Sequence, residues 1–162
     1  MRGTIRTVAS HVIAILGITQ LAHGAELSTN FTGNWKVNVD KCNFGPLFAP
    51  KSAEVKIDHK GPALAINDQE TNEQGESTTA ESNFTTDGKE TTGTIIAFPM
   101  EVKGTAKWMG DKLAFSANGK FNGTDVHVEE QWELSRDRAT LTISRTLSAV
   151  MGTTTQTIVL EK

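Results

Sequence analysis

Residues 124–147 read TDVHVEEQWELSRDRATLTISRTL, and their alternation of apolar and polar side chains decides the fold. Before a polar turn, one face of the first half reads Val126, Val128, Glu130, Trp132, Leu134. After the turn, one face of the second half reads Leu141, Ile143, Arg145, Leu147. Apolar side chains at every second position are typical of a β-strand with one buried face. The stretch is therefore predicted to form an antiparallel β-hairpin.

Similar short, alternating runs fill the rest of the chain. Turn residues separate them at 60–62, 87–88, 110–111 and 118–119, and a run over 91–98 ends at Pro99. About nine or ten strands at a spacing of roughly 8–12 residues are typical of an antiparallel sandwich or barrel. We predict an all-β, up-and-down antiparallel barrel of about 8–10 strands, because closing the sheet removes its exposed edges. A sandwich is the alternative.

The composition supports this interpretation. The chain of 162 residues contains 22 Thr and no Tyr. Threonine suits half-buried strands and is a poor helix former, which excludes a helical bundle. The length also excludes a large two-domain enzyme, and residues 26–162 are predicted to form a single barrel domain.

The first 25 residues have the layout of a secretory signal peptide. Arg2 and Arg6 precede an uncharged segment with an apolar run at 12–16, and small residues follow at Gly24 and Ala25. We predict cleavage near these two residues and export to the periplasm or the medium. The alternative is a membrane anchor, but the apolar run is short and polar residues flank it. The mature protein is therefore expected to have no transmembrane segment.

Charge and residue spacing disfavour several kinds of partner and site. The net charge is −3 and no basic cluster marks a surface for nucleic acid. Cys42 is the single cysteine, and only His59 and His127 follow residue 25, which are too few ligands for a zinc site. The acidic residues of 68–76 lack the spacing of a calcium loop and are interpreted as a solvated hairpin. We expect no metal, no cofactor and no catalytic residue.

Glu130 and Arg145 are the charged exceptions on two otherwise apolar faces. A short turn at 136–137 would pair Glu130 with Ile143 and Val128 with Arg145, so that the two charges become diagonal neighbours. Because isolated buried charges are costly, the two side chains are expected to pair. The pair is interpreted either as a polar anchor for the head group of a small ligand or as an internal ion pair.

The segment 31–38, FTGNWKVN, resembles the Gly-x-Trp signature that begins the first strand of lipocalins and fatty-acid-binding proteins, the calycin-type barrels. The resemblance implies that Gly33 and Trp35 plug one end of the barrel. It also implies a basic residue packed on Trp35, for which Arg145 is the candidate. Most of the chain from residue 31 to 162 is similar to small exported bacterial proteins with a lipocalin-like fold and no established activity.

Three functional hypotheses follow. The preferred one is a non-catalytic, exported barrel that binds a small, partly apolar ligand in its interior. The side chains predicted to contact this ligand are Glu130, Arg145, Trp108, Trp132, Phe115 and Ile143. The second hypothesis is a structural or interaction module of the periplasm or cell surface with a filled barrel. The third is an enzyme that uses Glu130 as acid and base, with Arg145 as its electrostatic partner.

Overall fold

The computed structural model describes residues 29–47 and 49–162, so the predicted signal peptide lies outside the described residues. Within them, ten strands and one 3-10 turn at Val39–Lys41 account for the regular structure. The strands are β1 (Gly33–Val37), β2 (Ser52–Lys60), β3 (Ala63–Thr71), β4 (Ser77–Thr85), β5 (Asp87–Thr94), β6 (Glu101–Met109), β7 (Lys112–Phe121), β8 (Thr124–Leu134), β9 (Thr140–Ala149) and β10 (Gly152–Glu161).

The ten strands form one antiparallel sheet in the order β4-β3-β2-β1-β10-β9-β8-β7-β6-β5. The first strand pairs with both the second and the last: Trp35 lies opposite Val55, and Val37 lies opposite Leu160. Every other ladder joins strands that are consecutive in the chain, so the topology is up-and-down. The predicted all-β barrel is confirmed, with ten strands. None of the described residues forms a helix that is long and apolar enough to span a membrane.

The barrel is nearly closed, with a gap in the hydrogen-bond ladder between β4 and β5. Across this gap, Ser82 Oγ accepts a hydrogen bond from Thr94 N at 2.6 Å and donates one to Thr94 O at 3.2 Å. At Gly93 a Cβ atom would lie 2.5 Å from Phe84 Cζ, so glycine permits the close approach of the two strands. The turn predicted at 87–88 therefore needs correction, because both residues lie within β5 and the flanking strands share no ladder.

The strands alternate as the sequence predicts, and the buried positions fill the barrel. In β8, Val128, Glu130 and Trp132 are buried, while the residues between them are exposed. In β9 the buried positions are Leu141, Ile143, Arg145 and Leu147. Glu130 and Arg145 thus lie on the same, inner face, as their sequence positions indicate.

The predicted register of this hairpin is wrong by two residues. Glu130 lies directly opposite Arg145, and Trp132 lies opposite Ile143. The connection between β8 and β9 spans 135–139 because Arg138 adopts a left-handed conformation with φ 59°. Hydrogen bonds from Ala139 N to the Asp137 carboxylate and from Thr140 N to Ser135 Oγ hold this wider turn. A shift of two residues preserves the faces of both strands, since the side-chain period is two.

The strand predicted over 91–98 ends at Thr94, and the chain then folds into the barrel. We call residues 95–100 the inner loop. Its buried side chains are Ile95, Ile96, Ala97, Phe98 and Met100. Consecutive buried residues break the alternation of a strand, and Ala97 adopts φ 55°, which turns the chain.

The up-and-down order gives the barrel two distinct ends. The closed end carries the short connections β2–β3, β4–β5, β6–β7 and β8–β9. The open end carries the connections β1–β2, β3–β4, β7–β8 and β9–β10, together with the inner loop.

Candidate functional site

The predicted charge pair forms a fully buried network in the barrel. Arg145 Nε donates to Glu130 Oε1 at 2.6 Å, and the side chains of Arg145 and Glu130 are 0% and 1% exposed. Arg145 Nη1 donates to Gln156 Oε1 at 3.1 Å, and Nη2 donates to the carbonyl oxygen of Ile96 at 2.7 Å. Trp132 Nε1 donates to the second carboxylate oxygen, Glu130 Oε2, at 2.7 Å. Each nitrogen of the guanidinium group therefore has a partner within the protein.

This network holds two segments of the open end in place. The bond from Arg145 to Ile96 holds the inner loop, and Gln156 Nε2 donates to the carbonyl oxygen of Phe44 in the β1–β2 connection at 2.9 Å. Charge-assisted hydrogen bonds are among the stronger polar contacts in proteins, and buried ones persist only when they are fully paired. The network thus anchors two open-end segments to the barrel wall.

The apolar residues predicted to contact a ligand lie at different depths. Phe115, Trp132 and Ile143 are buried in the main core, and the Phe115 and Trp132 rings are 4.9 Å apart. Trp108 is half-buried at the closed end and stacks on Phe31 at 5.7 Å. These side chains, with Glu130 and Arg145, line none of the surface clefts described below. Their direct contact with a ligand stays a prediction.

Gly33 and Trp35 lie beside the chain end, and one predicted contact of Trp35 needs correction. Trp35 is 1% exposed, and its indole nitrogen donates to the carbonyl oxygen of Phe31 at 2.9 Å. Lys162, not Arg145, covers the indole, with its ammonium group 4.6 Å from the ring centroid. Arg145 instead binds Glu130, Gln156 and the carbonyl oxygen of Ile96. Gly33 lies against the end of the Lys162 side chain, since a Cβ atom at position 33 would be 2.8 Å from Lys162 Cε.

An aromatic cluster fills the closed end. Phe31 stacks on His59 and on Trp108, each with centroids 5.7 Å apart, and meets the edge of Trp132 at 5.5 Å. His59 is 5% exposed, and burial lowers the pKa of its imidazole. No role was predicted for His59 from the sequence, although its position in line with Val55 and Ile57 on β2 indicates an inward side chain.

A cleft of about 430 Å³ opens at the other end of the barrel. The β7–β8 and β9–β10 turns form two of its sides, and Phe98 of the inner loop forms another. Its apolar wall consists of Leu47, Phe98, Phe121, Val126, Leu147 and Met151. None of the residues that line this open-end cleft was predicted as a ligand contact.

Two smaller cavities lie near the open-end cleft and are lined in part by residues of the inner loop. The first, of about 250 Å³, shares Phe98 and Phe121 with the open-end cleft. The second, of about 270 Å³, shares Glu70, Thr78 and Pro99 with the first and reaches β3 and β4. We call this second cavity the acidic pocket, because Asp68 and Glu70 form part of its wall.

The interpretation of 68–76 as a solvated hairpin is wrong for Asp68. This side chain is 5% exposed, and its Oδ2 atom accepts a hydrogen bond from Ala97 N of the inner loop at 2.8 Å. Its Oδ1 atom is buried without a hydrogen-bond partner. Burial raises the pKa of Asp68, and burial together with the Asp68 charge raises the pKa of Glu70 to about 7. The signal in the sequence is the alternation of β3, which places Asp68 in line with Leu64 and Ile66.

The available ligand atoms do not favour a metal ion. Among residues 29–47 and 49–162, no group of three or more His, Cys, Asp or Glu side chains is arranged to hold one. Cys42 contacts the backbone of Val159, whose N–H group lies 3.2 Å from Sγ, and burial raises the pKa of the thiol. Cys42 is thus a small, partly buried residue packed against the backbone of β10.

A nearly closed barrel of ten antiparallel strands is the calycin-type fold of the fatty-acid- and bile-acid-binding proteins, and the resemblance inferred from Gly33 and Trp35 is confirmed at the level of fold. One solved structure with this fold is the zebrafish ileal bile acid-binding protein in complex with cholic acid. It aligns with a TM-score of 0.55 and 18% sequence identity, over 82% of this chain and 98% of that chain. No protein-family model and no curated protein matches the sequence.

Proposed function

We propose that this protein is an exported, non-catalytic binding protein for a small, partly apolar molecule held in the open-end cleft. The observation that carries the proposal is the cleft itself, with a volume of about 430 Å³ and a mainly apolar wall. Ligand sites typically have volumes of roughly 300–1,000 Å³ and few polar groups. The solved structure with cholic acid provides a precedent for small-molecule binding on this fold.

In this proposal Glu130 and Arg145 act beneath the ligand. Arg145 binds the carbonyl oxygen of Ile96, two residues before Phe98, and so keeps the wall of the cleft in place. A preorganised wall lowers the entropic cost of binding, since fewer side chains have to be ordered by the ligand. Export follows from the signal-like residues 1–25, which carry Arg2 and Arg6 before an apolar segment.

The proposal is tested by filling the cleft. Ala149 lies in the cleft wall, so Ala149→Trp places a large ring where the ligand would lie. Ala114→Trp is the matched control, because Ala114 lies outside the barrel between the buried residues Leu113 and Phe115. The neutral apolar dye Nile red serves as the probe, read by its fluorescence.

We expect Nile red to bind the unmodified protein and the Ala114→Trp variant equally. The Ala149→Trp variant should bind it at least about tenfold more weakly, a loss of about 1.4 kcal/mol. Absence of binding to the unmodified protein, or equal binding by both tryptophan variants, would contradict the proposal.

A second candidate function is a structural or interaction module with a filled barrel. It is favoured by the buried state of Glu130 and Arg145, whose charged groups are paired with each other and with protein groups and not with a ligand. Native mass spectrometry of the protein purified from its own host distinguishes the two candidates. A co-purified small molecule supports the binding protein, whereas a ligand-free mass together with no Nile red binding supports the filled module.

A further inference from the structure

We propose that the molecule bound at the open end carries an organic cation, such as a protonated amine, and that Asp68 and Glu70 hold this cation in the acidic pocket. The inference rests on the proposed function, because the apolar part of the same molecule would occupy the open-end cleft. It names the chemical class of the ligand, which the fold alone does not.

The first argument comes from Arg145, which is not available to an anion. Its three nitrogens bind Glu130, Gln156 and Ile96, and its side chain is 0% exposed. A ligand carboxylate would have to displace the Glu130 carboxylate at 2.6 Å and leave that charge buried without a partner. Such an uncompensated buried charge is strongly unfavourable.

The second argument comes from Asp68, because one of its carboxylate oxygens receives no hydrogen bond. Asp68 is 95% buried, yet Oδ1 has no hydrogen-bond partner. Glu70 lies two residues further along β3, on the same face, and both residues line the acidic pocket. A buried carboxylate oxygen without a donor is costly, and a cationic N–H group is its strongest complement.

The balance of buried charges also favours a cationic ligand. Arg145 is the buried cation of this region and is already matched by Glu130, so Asp68 and Glu70 add negative charge that no buried cation neutralises. In the absence of a ligand, a proton shared by the two carboxyl groups meets part of this demand, which agrees with the raised pKa of each. A bound ammonium group would take the place of that proton.

The two subsites are linked by a third recess that shares lining residues with each of them. The cavity of about 250 Å³ shares Phe98 and Phe121 with the open-end cleft, and it shares Glu70, Thr78 and Pro99 with the acidic pocket. In this proposal, a molecule with an apolar body and an amine at one end spans these neighbouring recesses beside the inner loop. The two carboxylates alone are too few to replace the oxygen ligands that a calcium ion requires, which favours an organic cation.

The test compares three molecules that differ only in their head group: decylamine, decanol and decanoate, each as a competitor of Nile red. Decylamine should bind at least about tenfold more tightly than decanol, and decanoate more weakly than decanol. Asp68→Asn and Glu70→Gln should each bring decylamine close to decanol without weakening decanol. Asn at position 68 can still accept the Ala97 N–H bond, so the inner loop is retained.

The matched control is Glu129→Gln, an exposed change on the outer face of β8. It should leave all three affinities unchanged. A preference for decanoate, equal binding of the three molecules, or a decylamine affinity insensitive to both pocket variants would overturn the inference. If Ala149→Trp still weakens Nile red in those cases, the proposed function survives; if no molecule binds, the proposed function fails instead.

The pH dependence of decylamine binding is an independent test of the role of Glu70. Decylamine stays protonated near neutral pH, whereas Glu70 ionises at about pH 7. The affinity of the protein for decylamine should therefore rise about tenfold between roughly pH 6 and pH 8, and this rise should vanish in the Glu70→Gln variant. The charged groups that face Glu70 are Asp68 on β3 and Arg145 on β9, with Glu76 and Glu101 on the cavity walls. A flat profile in the unmodified protein would overturn the role of Glu70.

Discussion

The two ends of the barrel contain similar aromatic residues in different arrangements. At the closed end, Phe31 stacks against His59 and Trp108 at 5.7 Å, and Lys162 covers Trp35. The connections there are short, and aromatic side chains fill the space between the strands. Packing of this kind contributes stability and leaves little room for a ligand.

At the open end, the aromatic residues border a cleft instead of filling a core. Phe98 and Phe121 are 4.9 Å apart, yet both rings line the open-end cleft. Beside them, the tip of the β9–β10 turn carries Val150 and Met151, which are 94% and 96% exposed. The same barrel therefore has one end filled by aromatic side chains and one end that leaves a cleft, with the Glu130–Arg145 network between them.

The largest expected effect follows from breaking this network. Arg145→Met leaves the Glu130 carboxylate and the Ile96 carbonyl oxygen without a partner, so the free energy of unfolding should fall by about 3–5 kcal/mol. Urea denaturation measures this loss. The double variant Glu130→Gln with Arg145→Met removes the unpaired Glu130 charge as well and should recover part of the lost stability. An Arg145→Met variant as stable as the unmodified protein would mean that the network does not anchor the open-end segments to the barrel wall.

The next prediction compares the same substitution at the two ends. Phe31→Ala opens a cavity in a closed aromatic cluster and should cost about 3–5 kcal/mol of stability. Phe98→Ala only enlarges a cleft that is already open, so it should cost no more than about 2–3 kcal/mol while altering Nile red binding. Denaturation and dye titration of both variants measure the contrast. Equal losses of stability, with dye binding unchanged by Phe98→Ala, would remove the distinction between the ends.

Most of the fold was predictable because alternation is a local signal. The period-two pattern of β8 and β9 placed Glu130 and Arg145 on the inner face correctly. The register was not predictable from the pattern, since a shift by two residues leaves every side chain on the same face. It depends on Arg138, whose left-handed conformation is uncommon for a residue other than glycine.

The candidate site was less predictable, because it depends on contacts between distant segments. The run over 95–98 is apolar enough for a strand, but Ile95 and Ile96 are both buried, which a strand exposed on one side would not allow. Asp68 lies in a polar stretch; the alternation of β3 indicates an inward side chain, but its hydrogen bond to Ala97 N, 29 residues away, follows from no local pattern. Likewise, the partner of Trp35 is the distant Lys162, which no periodicity indicates.

The smallest expected effect concerns this last contact at the closed end. The Lys162 ammonium group lies 4.6 Å from the Trp35 ring centroid, and the Lys162 side chain is exposed. Exposed cation–π contacts contribute about 0.5–1 kcal/mol, so Lys162→Ala should lower the free energy of unfolding by that amount. Lys162→Arg keeps the cation and should stay close to the unmodified protein. Urea denaturation measures both, and Nile red binding should be the same in each, because the change lies at the end opposite the cleft. A loss of dye binding in Lys162→Ala would show instead that the two ends are energetically coupled.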